Sequence, residues 1–141
     1  MILYLDTSTL LKLYVEEQGS WEISRSTQDA AAVATSRIAY AEARAALARA
    51  RRSERLSEGE FRRAKEAFEA DWSGMMVVEV SDPLVRAAAD LVERHPLRGF
   101  DAIHLASALT LRQQLDEPVT FSAWDAHLLD AARAEGLAVA V

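Results

Sequence analysis

Short, continuously apolar segments alternate along this chain with longer amphipathic ones, and this alternation constrains the fold more than any other feature. The apolar runs predict strands at Ile2–Leu5, 31–35, 75–80, 119–121 and 137–141. Because the runs are continuous rather than alternating, both faces of each strand are expected to be covered. The pattern predicts an α/β fold: a three-layer α/β/α sandwich around a mainly parallel sheet of about five strands.

The segments between the strands have recognisable helix signals. Three helices are predicted with bounds: 9–15, capped by Ser8; 102–111; and 125–134, ended by Gly136. Four more are predicted from single signals: a short helix with Trp21 and Ile23, a long helix capped by Ser36, a helix that begins with the capping box Ser57-x-x-Glu60, and a helix that begins at Asp82-Pro83. At 141 residues, half of them hydrophobic, the chain is near the modal domain size. We therefore expect a single domain spanning residues 1–141.

Composition excludes several classes of protein. There are no cysteines, which rules out a disulfide scaffold and a thiolate metal site. No apolar run approaches the ~18–20 residues needed to span a bilayer, and a first strand that starts at residue 2 leaves no room for a signal peptide. We therefore expect a cytoplasmic protein with no membrane partner.

Charge is unevenly distributed. The net charge is −6, but residues 44–65 contain eight basic and three acidic side chains, a local +5 against −11 elsewhere. Such a stretch is either a pair of solvated helix faces or a contact surface for phosphates or an acidic partner. The candidate contact residues are Arg44, Arg49, Arg51 and Arg52.

Four carboxylates occupy positions that a parallel sheet brings together. Asp6 directly follows the first strand, Asp125 follows the fourth, and Asp101 begins the apolar helix AIHLASALTL. Glu42 lies on or beside the inner stripe of the long third helix. Parallel sheets bind ligands outside the carboxyl ends of their strands, so the four acids are expected to converge there.

No Lys or Arg obviously pairs with these acids, and like charges at close range would destabilise the fold. Mg²⁺ or Mn²⁺ resolves this problem, because hard divalent cations prefer carboxylate oxygens. Such an ion can activate a water molecule and stabilise the leaving oxygen of a phosphodiester. The alternative is that each Asp only caps the helix after it, with Glu42 at the rim of its helix.

Four segments resemble the PIN-domain family, and more narrowly the VapC-type toxins of bacterial toxin–antitoxin pairs: LDTSTLLKLY, YAEARAALARA, GFDAIHLASAL and FSAWDAHLLDAA. The resemblance covers essentially the whole chain in order. It implies a small α/β/α sandwich, a single PIN-like domain, and metal-dependent cleavage of RNA with Mg²⁺ or Mn²⁺. It also implies a small inhibitory antitoxin protein and a homodimer.

The resemblance assigns the family's four acids, in order, to Asp6, Glu42, Asp101 and Asp125, and a hydroxyl to Ser8. By their chemistry, we expect Asp6 and Asp101 to be the primary metal ligands. Glu42 and Asp125 would complete the metal shell or position the attacking water. Ser8 would hydrogen-bond Asp6 or a metal-bound water.

One departure from the family pattern concerns the fourth acid. Many members have a Thr or Ser two residues before it, whereas here Ser122 is three residues before Asp125 and Thr120 is further back. This ranks Asp125 below Asp6 and Asp101 as a direct ligand.

Other prominent residues have plainer explanations. His104 is expected to be a buried histidine satisfied by a backbone or carboxylate partner rather than a general base. Trp21, Trp72 and Trp124 are expected in the core, and only Trp124, beside Asp125, is kept as a possible substrate contact. The apolar positions of the first and third helices form either a partner interface or core: Leu10, Leu13, Tyr14, Ala43 and Leu47.

Two alternative functions stay open. A non-catalytic partner-binding module would keep the acids as helix caps. An aspartyl-phosphate phosphatase would use Asp6 as a nucleophile, but such enzymes need a second Asp two residues later, where this chain has Ser8. A dinucleotide-binding oxidoreductase needs a glycine-rich turn after the first strand, and DTST is not one.

Overall fold

The computed structural model describes residues 1–140, and within them five strands form one parallel sheet. The strands are β1 Ile2–Leu5, β2 Ala32–Ser36, β3 Met76–Val78, β4 Val119–Ser122 and β5 Ala138–Ala140, in the order β3-β2-β1-β4-β5. The predicted number and direction of the strands are confirmed. Val141, which the sequence places in the last strand, lies outside the described residues.

Seven helices connect or flank these strands in the described residues. They are α1 Thr7–Leu11, α2 Ser20–Asp29, α3 Ile38–Arg52, α4 Glu58–Trp72, α5 Asp82–Arg94, α6 Gly99–Leu115 and α7 Ala126–Ala134. None of them is long and apolar enough to cross a bilayer.

The core is divided by the sheet into two layers. Successive side chains of a strand point to opposite faces, so Leu3 and Leu5 of β1 pack on one side with Ile23 and Phe68. Tyr4 packs on the other side, in the core layer formed with α5, α6 and α7. The chain is therefore the three-layer α/β/α sandwich that the sequence predicts.

The first helix differs from its prediction. It begins at Thr7 rather than Thr9, ends at Leu11 rather than Val15, and is capped by Asp6 instead of Ser8. Asp is as good an N-cap as Ser, and here the Asp6 carboxylate accepts a hydrogen bond from the Thr9 amide at 3.0 Å.

Other helix signals are mostly as predicted. The capping box of Ser57 and Glu60 is complete. Ser36 is instead the last residue of β2, and Arg37 is the N-cap of α3, although the Ser36 hydroxyl accepts a 3.3 Å hydrogen bond from the Ile38 amide. Asp125 precedes α7 as its N-cap.

Burial separates core from surface among the apolar candidates. Leu10, Ala43 and Leu47 are completely buried within this chain, so they are core residues. The expectation of a core position is wrong for Trp21, which is 66% exposed on α2. Its neighbours along the chain, Ile23 and Ser20, occupy the buried face of that helix.

Gly19 is the position where the backbone most needs a glycine. Its φ is +92°, and an added Cβ would lie 2.8 Å from two ring carbons of Trp124. We expect Gly19→Ala to lower the free energy of unfolding by about 2 kcal/mol, because left-handed strain and overpacking add. Urea unfolding followed by circular dichroism measures this.

Gly136 provides the matched control. Its φ is +88°, but an added Cβ would meet only the flexible end of Arg112, at 3.4 Å. Gly136→Ala should therefore cost about 1 kcal/mol, from backbone strain alone. An equal loss in the free energy of unfolding for the two variants would show that the Trp124 ring does not add overpacking at Gly19.

Candidate active site

A cavity of about 570 Å³ opens at the carboxyl end of the sheet, and all four predicted acids line it. Asp6 follows β1, Glu42 lies on α3, Asp101 is in the first turn of α6 and Asp125 caps α7. The remaining lining residues are Thr7, Ser8, Leu11, Ala46, Arg49, Arg98, His104 and Trp124.

Asp6 is held rigidly and only one of its oxygens is occupied. The residue is 5% exposed, and Oδ1 accepts hydrogen bonds from the Ser8 hydroxyl at 2.8 Å, the Thr9 hydroxyl at 2.9 Å and the Thr9 amide. Among the described residues, every hydrogen bond to its carboxylate ends on Oδ1, which leaves Oδ2 to accept another ligand. Burial raises the pKa of Asp6, although attraction to His104 and these hydrogen bonds oppose the rise.

Glu42 is anchored by a polar chain that passes into the core. Thr7 Oγ1 donates to Glu42 Oε1 at 2.5 Å, and His104 Nε2 lies 3.2 Å from the same oxygen. Because a carboxylate only accepts, Nε2 must be protonated and donate. Partial burial would raise the pKa of Glu42, but the hydrogen bonds from His104 and Thr7 outweigh burial and lower it.

His104 continues this chain to the sheet. It is 2% exposed, and its Nδ1 is 2.8 Å from the hydroxyl of Tyr4, which is fully buried on β1. The expectation of a buried histidine with a carboxylate partner is confirmed. The His104 ring therefore connects Tyr4 in the core to the Glu42 carboxylate and fixes the orientation of that carboxylate.

Asp101 and Asp125 are less constrained. Asp101 Oδ2 accepts from Arg98 Nε at 3.2 Å, so the expectation that no Lys or Arg pairs with the acids is wrong at this position. The Arg98 side chain is 85% exposed, and such a pair contributes little and exchanges readily. Asp125 Oδ1 accepts from the Leu128 amide at 3.0 Å, so this acid does cap its helix.

The donor chemistry of the cavity fits a hard divalent cation. Its ligating groups are carboxylate and hydroxyl oxygens, and the buried carboxylate of Asp6 has an oxygen without a hydrogen bond. In the rotamers present, no three His, Asp or Glu side chains of residues 1–140 meet closely enough to ligate one ion. The helix capping by Asp6 and Asp125 uses one oxygen of each, so it does not prevent metal binding.

The sequence did not predict three residues that hold the side chains of the site: Thr7, which contacts Glu42, Arg98, which contacts Asp101, and Tyr4, which contacts His104. Thr7 stands beside Asp6 and Arg98 stands three residues before Asp101, so adjacency to the acids was the available signal. Neither Ser122 nor Thr120 lines the cavity. Ser122 contributes its carbonyl, which accepts from the Asp6 amide at 3.1 Å, while its buried hydroxyl has no hydrogen-bond partner among the described residues.

The four arginines proposed as contacts differ in their surroundings. Arg49 is exposed and lines the cavity. Arg44 instead pairs with Glu69 at 2.8 Å, and Arg51 lies 4.1 Å over the ring of Phe61. Arg52 is exposed at the end of α3.

Trp124 also differs from the expectation of a core position. It is 40% exposed and its side chain lines the acidic cavity. Of the two interpretations of this residue, the structure therefore favours a surface contact.

Comparisons with known proteins agree with this fold. A family model described as PIN domain matches residues 3–115. Ribonuclease VapC45 and Ribonuclease VapC49, from two strains of Mycobacterium tuberculosis, are each 38% identical to this chain over 139 residues, which is 99% of this chain and 94% of theirs. A solved toxin–antitoxin complex from Klebsiella pneumoniae superposes with a TM-score of 0.66 at 18% identity, covering 99% of this chain and 96% of that one. The chain therefore belongs to the PIN-domain family and, within it, to the VapC group.

Proposed function

We propose that this chain is a metal-dependent endoribonuclease toxin that cleaves phosphodiester bonds in RNA and is inhibited by a small antitoxin. The observation that carries the proposal is the cavity at the carboxyl end of the sheet, which four acids distant in sequence line together. The relatives that are 38% identical are named as ribonucleases. The superposed complex from Klebsiella pneumoniae supports an antitoxin as the partner.

The acids divide into two groups by their surroundings. Asp6, whose Oδ2 accepts no hydrogen bond within residues 1–140, and Asp101, which pairs with the exposed Arg98, would be the main ligands of Mg²⁺ or Mn²⁺. Glu42 and Asp125 would complete the shell or orient water molecules. When bound, the cation supplies activation of water and stabilisation of the negative charge that develops on the phosphate.

The remaining residues of the cavity position these groups and the substrate. Thr7 and His104 hold the Glu42 carboxylate in one orientation. Ser8 holds the Asp6 carboxylate through the hydrogen bond from its hydroxyl to Oδ1. Arg49 and Arg98 place positive charge at the cavity walls, where an RNA backbone would lie. An RNA substrate would place the protein in the cytoplasm, and the family resemblance extends the proposal to a homodimer.

The test compares wild type with Asp101→Asn on structured RNA, including transfer RNA, with Mn²⁺, with Mg²⁺ and with EDTA. We expect wild type to cleave only with metal, and Asp101→Asn to cleave at least about 100-fold more slowly. Asp90→Asn, an exposed acid on α5, is the matched control and should cleave like wild type.

Each other outcome has a distinct meaning. Equal cleavage by wild type and Asp101→Asn would identify a contaminating nuclease and remove the support for the site. If neither cleaves, a Mn²⁺ titration followed by calorimetry decides. Absence of binding would favour the non-catalytic module that keeps its acids as helix caps, a role that Asp6 and Asp125 have in this structure.

A further inference from the structure

Trp124 lines the acidic cavity, immediately before the helix cap Asp125, and two other residues hold its indole ring in place. The ammonium group of Lys12 lies 4.2 Å from the centroid of the ring, in a cation–π contact. The far edge of the ring rests on Gly19, where an added Cβ would be 2.8 Å away.

Lys12 is itself immobilised. The residue is 7% exposed, and its Nζ is 3.1 Å from Glu17 Oε1. Glu17 also lies 3.6 Å from Arg55, so the lysine belongs to a small ionic network behind the ring. Since Lys12 does not line the cavity, its charge supports the indole rather than neutralising the acids.

Trp124 is only partly covered by these contacts. Lys12 covers one face and Gly19 supports one edge, yet the residue is still 40% exposed. Because Lys12 lies over one face of the ring and Gly19 meets one edge, the opposite face is the one left open to a ligand. A rigid aromatic surface costs little conformational entropy to use in binding, because the cation–π contact with Lys12 already holds the ring in place.

We propose that this open face is a stacking platform for one unpaired nucleobase of the RNA, next to the phosphodiester that is cleaved. This inference rests on the proposed ribonuclease function and adds to it a residue that selects single-stranded substrate. Bases in single-stranded RNA stack on aromatic side chains, whereas bases inside a duplex are not accessible for stacking. Arg49 and Arg98 provide the charge that attracts the RNA backbone, and Trp124 adds a flat uncharged contact for a base beside the acids.

Trp21 provides a matched control within the same chain. It is also an exposed tryptophan with a cation over its ring, Arg25 at 5.3 Å, but it lies on α2 and does not line the cavity. A general contribution of exposed indoles to RNA binding would affect both residues. A platform at the site affects Trp124 alone.

The experiment measures the binding of fluorescent single-stranded oligo(A) and oligo(U) RNA by anisotropy, in an Asp101→Asn background that prevents cleavage. We expect Trp124→Leu to weaken binding about tenfold, Trp124→Phe to retain most of it, and Trp21→Leu to have no effect. Oligo(A) should bind more tightly than oligo(U) in the parent, because a purine offers the larger stacking area. The difference should shrink in Trp124→Leu.

The salt dependence separates stacking from charge. Trp124→Leu should leave the slope of log Kd against log salt unchanged, whereas Arg49→Gln should reduce it by about one. Thermal melting of each variant identifies misfolding. Equal losses in Trp124→Leu and Trp124→Phe with a lowered Tm would show a structural role and overturn the proposal.

Two further outcomes are decisive. If Trp124→Leu binds RNA as tightly as Trp21→Leu does, the proposal is overturned. The exposed ring would then be a contact for a protein partner. Failure of the proposed function is seen separately, as an absence of metal-dependent cleavage by wild type, because the binding assay does not require cleavage.

Discussion

Asp6→Asn slows RNA cleavage at least about 100-fold, while the protein melts at the same temperature as wild type or higher. The loss of activity follows from the loss of a charged ligand at the centre of the proposed metal site. Stability is retained because Asn is as effective an N-cap as Asp. Its Oδ1 can still accept from Ser8 and from the Thr9 amide and hydroxyl.

The same substitution also removes an unfavourable charge. Asp6 is 5% exposed, and Arg98, which pairs with a cavity acid, engages Asp101 instead. A buried carboxylate without a paired cation is costly in the absence of metal. Cleavage of a fluorescent RNA with Mn²⁺ and thermal melting in EDTA are the two measurements, with Asp90→Asn as control. A Tm well below that of wild type would mean that the Asp6 charge itself stabilises the fold.

His104→Leu lowers the free energy of unfolding by about 2 kcal/mol and slows cleavage about tenfold. The substitution leaves the fully buried hydroxyl of Tyr4 without its partner at 2.8 Å, and an unsatisfied buried polar group costs about 1–3 kcal/mol. Glu42 also loses the hydrogen bond from Nε2. Loss of a group that orients a metal-site ligand typically costs about 10–100-fold in activity.

Adding Tyr4→Phe separates the two roles of His104. The double variant no longer has an orphaned hydroxyl, so it should regain about 1 kcal/mol relative to His104→Leu. Cleavage should stay slow, because Phe at position 4 does nothing to reposition Glu42. Urea unfolding and initial cleavage rates on the single and double variants complete the cycle. Recovery of activity together with stability would show that His104 acts only through the fold.

The main features of the fold could be predicted because they follow from local patterns. Continuous apolar runs identify strands that are covered on both faces, and helices between them require a parallel sheet. The capping box at Ser57 and Glu60 is complete within four residues of sequence, so it was predictable. The start of α1 was not, since Asp6 and Ser8 are equally good caps and packing decides between them.

The acids that line the cavity were predictable from the sequence, but the side-chain contacts that hold them were not. Asp6, Asp101 and Asp125 each stand next to a strand end or a helix start, so topology alone brings them to one edge of the sheet. Glu42 could be placed only approximately, because it lies within a helix. The pairing of Arg98 with Asp101 and the exposure of Trp124 depend on side-chain orientations that periodicity does not encode.

The sequence by itself determined the architecture, because strand burial and helix periodicity are properties of neighbouring residues. It also supplied four candidate acids, three of them from their positions at strand ends and helix starts and Glu42 mainly from the family resemblance. Only the tertiary structure decided how those acids are held. The contact between Tyr4 and His104 joins residues 100 positions apart, and the contact of His104 with Glu42 joins residues 62 apart. Such pairings arise when packed elements bring polar groups together inside the core, where each must find a partner because water is absent.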